Sequence, residues 1–317
     1  MPRMQALLNA IAAMPRPTDA QRIFHGRGGL YPGCEHWTLD AYPPVWLLTS
    51  FQPVDEAELA QVQAALARRW QDLAPGEPLN LVFQSRHIDD GGGHAETRVL
   101  AGAVPEPHEI TEDGARYRVQ LLRGQNHGFF LDMVEGRRWV RRHLTTRPGA
   151  KVLNLFAYTC SFSVAALQAG AAEVVNLDMA SGALATGRLN HELNGVKAGA
   201  KFLAHDLFNS WGKLTRGGPY DLIVLDPPGH QRGSFIATKD YARVVRRLPA
   251  LLAPGGHALL CLTTPKLDLA FLREVVATEA PGLDWLERLP NPTVFDDISP
   301  DRALKVVVCR RRDSDTA

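Results

Sequence analysis

Apolar residues along the chain fall into short unbroken runs and stretches repeating every three or four positions, and the two alternate most regularly between residues 151 and 262. Unbroken runs of this length predict buried strands, and the spaced pattern predicts helices. Val152 to Ala157 is a strand-length run, followed by the small-residue turn Tyr158-Thr159-Cys160-Ser161. A helical pattern then places Val164, Ala165, Leu167 and Ala169 together and stops at Gly170, and Val174 to Leu177 forms a second strand ending in Asp178. The spacing predicts a helix over Ser181 to Leu193, with Asn194-Gly195 as its C-cap signal. A third strand, Lys201 to His205, ends at Asp206, and a fourth, Tyr220 to Leu225 (YDLIVL), runs into Asp226-Pro227-Pro228-Gly229. A further helix carries Tyr241, Val244, Val245, Leu248, Leu251 and Leu252 at core spacing, and strand His257 to Leu262, helix Leu267 to Ala277 and strand Asp284 to Leu289 follow. The closing run, Leu304 to Cys309, has no crossover helix before it, so it is expected to lie antiparallel to its neighbour. The fold class is therefore α/β, a Rossmann-like, mostly parallel sheet whose last strand is antiparallel, filling residues 106–317.

Residues 1–105 have a different texture and are expected to form a small α/β domain of their own, a candidate for binding an RNA substrate. The opening apolar segment reads as a brief helix ended by Pro15 and Pro17. Val45 to Phe51 and Leu79 to Gln84 predict strands flanking a helix, Glu56 to Leu73, whose Leu59, Val62, Leu66 and Trp70 share one face. Residues 89–96 (DDGGGHAE) predict a loop, and Asp113-Gly114 predicts the turn of a hairpin. The stretch His25, Gly26, Arg27, Gly28, Gly29 has two readings: a close approach to phosphate, or an ordinary glycine-rich turn.

The chain has 317 residues and a formal net charge of +1, so any nucleic-acid contact must come from local patches. Five arginines, Arg137, Arg138, Arg141, Arg142 and Arg147, fall within eleven positions. They read either as RNA-phosphate contacts or as a solvated helix face. Arg232, Arg243, Arg246 and Arg247 are weaker candidates. Cys34, Cys160, Cys261 and Cys309 match no zinc or disulfide spacing, which fits reduced thiols in the cytoplasm and no metal site. No run approaches the ~20 apolar residues of a membrane span.

Open parallel sheets bind ligands at the carboxyl ends of their strands. An aspartate closing the second strand, about twenty residues after the first turn, can accept from both hydroxyls of a ribose; Asp178 could equally cap the next helix. The first turn lacks the G-x-G-x-x-G that admits a pyrophosphate, which argues against a dinucleotide. A nucleoside without pyrophosphate remains compatible, and S-adenosylmethionine is one. Asp226-Pro227-Pro228 offers acceptors on a stiff loop, suited to gripping an N–H-bearing base.

With these residues in place, the segment from about 107 to 311 resembles the class I S-adenosylmethionine-dependent methyltransferases, and within them the ribosomal large-subunit RNA methyltransferase family. The resemblance rests on GQNHGFFLDMVEGRR, VLNLFAYTCSFSVAAL, VVNLDMASGAL with HELNG, YDLIVLDPPG and LLAPGG. It implies that Asn154, Phe156, Tyr158 and Thr159 line the methionine and ribose side, that Asp178 holds the ribose, that Met179 packs on adenine and that Asp206 lies near the adenine amine. It also implies that Phe130 and Asp132 cover the cofactor. Relatives usually carry glycines at the positions of Cys160 and Ser161. Members that methylate cytosine C5 carry a nucleophilic cysteine just after the fifth strand, where this chain has Thr263 and Thr264; Cys261 and Cys160 read as buried structural thiols.

The expected activity is methyl transfer to RNA, ribosomal large-subunit RNA above all, at a base nitrogen with guanine favoured. The catalytic residues would be Asp226, Pro227 and Pro228, with Arg137, Arg138, Arg141 and Arg142 leading RNA to the site. The alternatives are cytosine-C5 methylation, or a small-molecule or protein methyltransferase on the same fold.

Overall fold

The computed structural model describes residues 4–87, 96–124, 126–231 and 235–313. Most of the expected 89–96 loop, and Arg232, lie outside the described residues. The chain divides into two units, Met1–Leu131 with Thr293–Ser299, and Asp132–Pro292 with Pro300–Ala317.

The first unit contains α1 (Gln5–Ala13), β1 (Gln21–His25), β2 (Trp37–Tyr42), β3 (Val45–Ser50), α2 (Glu56–Leu73), β4 (Asn80–Ser85) and β5 (Glu96–Ala101). Its sheet has the order β1-β2-β3-β4-β5. Only the β3–β4 pair is parallel, because α2 supplies the crossover between them. The apolar face of α2, Leu59, Val62, Leu66 and Trp70, closes the core against Trp37, Trp46 and Phe83. The hairpin β6 (His108–Glu112) and β7 (Ala115–Val119) turns at Asp113-Gly114, both with positive φ, as such a turn requires.

The boundary expected at 105/106 is therefore corrected to Leu131/Asp132. Hydrogen bonds tie the hairpin to the first unit: Ala20 N–H donates to the Thr111 carbonyl at 2.8 Å, and the Thr111 hydroxyl to Asp19 at 2.7 Å. His108 Nε2 lies 2.9 Å from the Tyr42 carbonyl. Contacts between residues so far apart in sequence leave no local signature.

The second unit runs α3 (Val134–Thr145), β8 (Lys151–Leu155), α4 (Ser161–Gln168), β9 (Glu173–Asp178), α5 (Ser181–Leu193), β10 (Ala200–Ala204), α6 (Trp211–Gly217) and β11 (Tyr220–Leu225). A short pair, β12 (His230–Gln231) and β13 (Phe235–Ile236), precedes α7 (Ala237–Val245), α8 (Leu248–Leu251), β14 (Leu252–Leu262), α9 (Leu269–Glu279), β15 (Leu283–Leu289) and β16 (Lys305–Arg311). Seven strands form one sheet in the order β10-β9-β8-β11-β14-β16-β15. The first five are mutually parallel and β16 is antiparallel to both of its neighbours, as the missing crossover helix predicts.

Both faces of the sheet are covered, so its strands are apolar on both sides. One face sends Leu153, Val175, Ile223 and Leu260 toward α7 and α9. The other sends Val152, Val174, Leu222 and Leu259 toward α3 and α4. Strand order reverses between β8 and β11, and the crevice outside the carboxyl ends at such a switch point is where open α/β sheets place ligands.

Candidate functional site

The turn after β8 is built on left-handed backbone without glycine. Phe156, Tyr158 and Cys160 have φ of 58°, 46° and 63°, a region that costs non-glycine residues roughly 1 kcal/mol or more each. Asp178, at the end of β9, holds it there. One carboxylate oxygen accepts from Tyr158 N–H at 2.8 Å and the other from Ala180 N–H at 2.8 Å. The Ala157 N–H bonds the Leu177 carbonyl at 3.0 Å, so β9 clamps the turn twice. A carboxylate has about four acceptor sites, so each oxygen keeps capacity for a hydroxyl donor.

Around Asp178, a cleft is lined by Phe156, Leu177, Met179, His205, Asp206, Leu207 and Phe208. Met179 is 48% exposed, an unusual exposure for a large apolar side chain beside two carboxylates. Asp206 caps its own loop by accepting from Asn209 N–H at 3.1 Å. The cleft encloses only about 10 Å³, so it is the lining, apolar and rimmed by acceptors, and not the enclosed space, that matches the flat base and diol of the S-adenosylmethionine nucleoside. A second cleft, of about 450 Å³, is lined by Glu135, Trp139, Arg142 and His143 of α3 with Glu287 and Leu289 of β15, and none of Asp178, Asp206 and Asp226 lines it.

Asp226 follows β11, on the far side of β8 from Asp178. The three acidic strand ends are thus not on consecutive strands: Asp206 and Asp178 end neighbours, and β8 separates them from Asp226. Asp226 retains a solvent-facing edge, yet desolvation and the nearby negative charge of Asp132 push its carboxyl up to about 7, against the pull of Arg137. Gly229 completes the Asp-Pro-Pro-Gly turn because a Cβ there would meet Thr264 Cβ at 3.0 Å. The Thr264 carbonyl is held in turn by the fully buried Lys305 at 3.2 Å.

Three sequence expectations are corrected. Asn154 does not line the cleft: it is 1% exposed and donates to Asn176 Oδ1 at 2.9 Å. Asn176 donates to Ser163 Oγ at 3.0 Å, and Ser163 Oγ lies 2.8 Å from His191 Nε2. The cause is strand alternation, which puts Asn154 on the α4 side with Val152. Thr159 is 4% exposed, and its carbonyl accepts from Asn190 at 2.9 Å, so it braces the turn instead of presenting surface. Arg137 is 2% exposed and acts on Asp226, which removes it from any RNA-facing surface.

Of the other arginines, Arg138 pairs with Glu135 at 2.8 Å, Arg141 donates to Gln168 at 2.8 Å, and Arg142 is exposed. Arg243 pairs with Asp240 and Arg246 with Glu279, and the Arg247 guanidinium lies 5.7 Å from the Trp211 ring centre. Phe130 belongs to the first unit, where its ring is 45% exposed. Lys305 and the Asp132–Arg137–Asp226 grouping were not singled out as a set from sequence; a lysine opening an apolar strand was the available signal for the former.

All four cysteines are buried. Desolvation raises the thiols of Cys160 and Cys261 above their ordinary value, as do the charges of Asp178 on Cys160 and of Asp226 and Asp132 on Cys261.

Comparison with known proteins bears on the same residues. A ribosomal RNA large subunit methyltransferase I from Aeromonas salmonicida is 34% identical over 249 residues, covering 77% of this chain and 61% of that protein. A ribosomal RNA large subunit methyltransferase from Deinococcus radiodurans is 31% identical over 306 residues, covering 91% and 72% respectively. The chain thus spans about three fifths of the length of its Aeromonas relative. Among solved structures, a Streptococcus mutans protein described as a SAM-dependent methyltransferase superposes with a TM-score of 0.79 at 22% identity, over 97% of this chain and 81% of that one. At that identity the likeness concerns the fold. The family described as S-adenosylmethionine-dependent methyltransferase matches residues 21–310, reaching well into the first unit, beyond the segment that carried the resemblance. A match of that extent, on a sheet of this order with its acidic strand ends at the switch point, makes the chain a member of the S-adenosylmethionine-dependent methyltransferase family.

Proposed function

We propose that the chain methylates large-subunit ribosomal RNA at a base nitrogen, with guanine the favoured base and S-adenosylmethionine the donor. The relatives' names supply the substrate class. The observation that carries the choice of atom is the burial of all four thiols. Methylation at C5 of cytosine needs an accessible thiolate to add to the neighbouring C6, because C5 is too weakly nucleophilic unaided. Thr263 and Thr264 follow β14 where such a nucleophile would be required, and Cys261 lies inside the strand with its thiol pushed toward the protonated form.

S-adenosylmethionine, when bound, supplies a methyl group made electrophilic by its sulfonium. The remaining acceptor capacity of Asp178 takes the ribose hydroxyls, Asp206 lies toward the adenine amine, and Phe156 and Met179 flank the base. Tyr158 lies on the same turn, and Asp132 contributes to the proposed cover. Asp226 accepts the proton of an exocyclic amine; its carboxyl, held at about 7, is matched to proton uptake near neutrality. Pro227 and Pro228 fix the loop that carries it, so donor and acceptor meet without further ordering.

The test is transfer of an isotope-labelled methyl to protein-free ribosomal RNA from cells lacking the gene, read by mass spectrometry of the nucleosides. A labelled methylguanosine is expected. Label on C5 of cytosine, or none on RNA, overturns the reading.

A further inference from the structure

The glycine-rich turn after β1 resolves into a cationic cluster that the methyl-transfer chemistry leaves unused. Gly26 and Gly28 are glycines for packing: a Cβ on Gly26 would come within 1.8 Å of the Cys34 carbonyl oxygen, and one on Gly28 within 2.1 Å of that of Asp296. Both are buried, and Arg27 between them is exposed, so the tight packing on either side presents this one side chain. Its guanidinium lies over the Phe51 ring at 4.0 Å, and the Arg86 guanidinium lies 5.8 Å from the same ring centre. Two cations sharing one ring lie within about 10 Å of each other.

The surroundings partly balance this charge. Arg22 forms a two-pronged pair with Asp40, at 2.7 and 2.9 Å, and lies 2.7 Å from His25 Nδ1. Arg86 is destabilised as a cation first by desolvation and also by Arg22 and Arg27, against the favourable charges of Asp40 and Tyr42. His25 and His127 are both held neutral, at about 3 and about 4, by burial and by arginines of this same cluster. Asp296 and Asp297 sit on the segment packed over Gly28, but neither is among the charges that shift Arg86, His25 or His127. His127 is 7% exposed, and burial and the Arg86 charge both disfavour its cationic form.

We infer that Arg27 and Arg86, set across Phe51, form a phosphodiester-binding subsite through which the first unit holds the RNA. Guanidinium N–H donors lie in the plane of the group and match a tetrahedral oxyanion; Arg86 gives its Nε to Gln84 Oε1 at 2.7 Å, a bond that orients its fork beside Phe51. This rests on the RNA reading above. It adds that substrate affinity is supplied by the first unit, at residues without a part in the chemistry.

The experiment is fluorescence anisotropy of a labelled single-stranded oligoribonucleotide against the full chain, across a salt series, for the parent, Arg27→Ala, Arg86→Gln and the control Arg68→Ala, which alters an exposed position on α2. Removing the cation from one phosphate lowers the slope of log K against log salt by about 0.7. Arg27→Ala is expected to bind several-fold more weakly with that reduction in slope and an unchanged melting temperature, Arg86→Gln to show the same loss of affinity and slope with a lower melting temperature because it also loses the Gln84 bond, and Arg68→Ala to match the parent. Parental affinity and slope in Arg27→Ala overturn the subsite and leave the RNA reading standing. A parent that binds no RNA overturns both. Inorganic phosphate that binds the parent, yet fails to compete with RNA at fixed ionic strength, assigns the arginines to a free anion and likewise overturns the proposal.

Discussion

Removing the Asp178 carboxylate should strike the turn and the ligand separately, and the two effects can be measured apart. Asp178→Ala deletes the acceptors of the Tyr158 and Ala180 N–H groups, each bonded at 2.8 Å. The Tyr158 bond is partly buried, and a bond of that kind to a charged group contributes about 1.5–3 kcal/mol. The Ala180 bond is exposed, where water substitutes readily, so it adds less than about 1 kcal/mol. The expected loss of stability is therefore about 2–4 kcal/mol, or roughly 5–10 °C in melting temperature for a unit of this size. Asp178→Asn keeps one acceptor oxygen and should lose about half as much. If the same carboxylate also accepts from the ribose, two further charge-assisted bonds disappear, and affinity for S-adenosylmethionine should fall by at least about 100-fold in the alanine variant. Calorimetric titration well below the melting transition reads the second effect, and thermal unfolding without cofactor reads the first. A variant that melts early but binds S-adenosylmethionine with parental affinity would falsify the ribose role and leave the turn anchor intact. Parental values in both assays would remove both.

The Asp226 carboxyl is raised in the folded chain from 3.8 to about 7, so its neutral form is favoured by the fold; the stability this contributes is complete below 3.8 and is lost as pH rises through about 7. Asp226→Asn mimics the neutral acid and should therefore become more stable than the parent on the alkaline side, by roughly 2 kcal/mol once its solvent-facing edge is allowed for, in melts between about pH 5 and pH 9. Methyl transfer by the parent should rise over the same interval as the carboxylate forms. Gly187→Ala would set a Cβ 2.5 Å from Cys160 Sγ and should cost about 1–3 kcal/mol in urea unfolding, largely recovered in a Cys160→Gly background; no recovery would show that α5 fails for another reason. Arg137→Met leaves Asp132 and Asp226 without their buried cation and should cost about 3 kcal/mol by the same assay, while Arg142→Met, at an exposed position, should cost less than about 0.5.

The second unit was legible because its signals are local. YDLIVL is β11 residue for residue, the Ser181–Leu193 helix is α5, and the missing crossover before the last run gave the antiparallel β16. Two corrections were also written in the sequence. Asn154 lies two residues after Val152, so strand periodicity alone assigns it to the α4 face. Arg137 precedes Val140 by three residues and Leu144 by seven, which is the buried stripe of α3 and not its solvent face. What stayed hidden is tertiary. β2 reads WTLDAY and is buried at every position, Asp40 included, because Arg22 on β1 pairs with it. Neither periodicity nor propensity reports a charge neutralised across a sheet, and the grouping of Asp132, Arg137 and Asp226 is hidden for the same reason.

The absence of glycine from the first turn acquires a cause in this light. Glycine normally grants a chain left-handed φ at no steric cost; here Phe156, Tyr158 and Cys160 adopt it with side chains attached. The strain is offset on two sides, by the Asp178 carboxylate holding Tyr158 N–H and by the Cys160 thiol buried against Ala157 and Leu184. Cys160 thus does structural work a glycine could not do, and it needs Gly187 opposite to make room for its sulfur. The cost of the arrangement is that the turn's conformation depends on the side chain best placed to meet a ribose. Binding at Asp178 and order in the turn are then coupled, so a ligand that engages the carboxylate draws on a turn already fixed, and a chain that loses the carboxylate loses the shape of the site together with its charge.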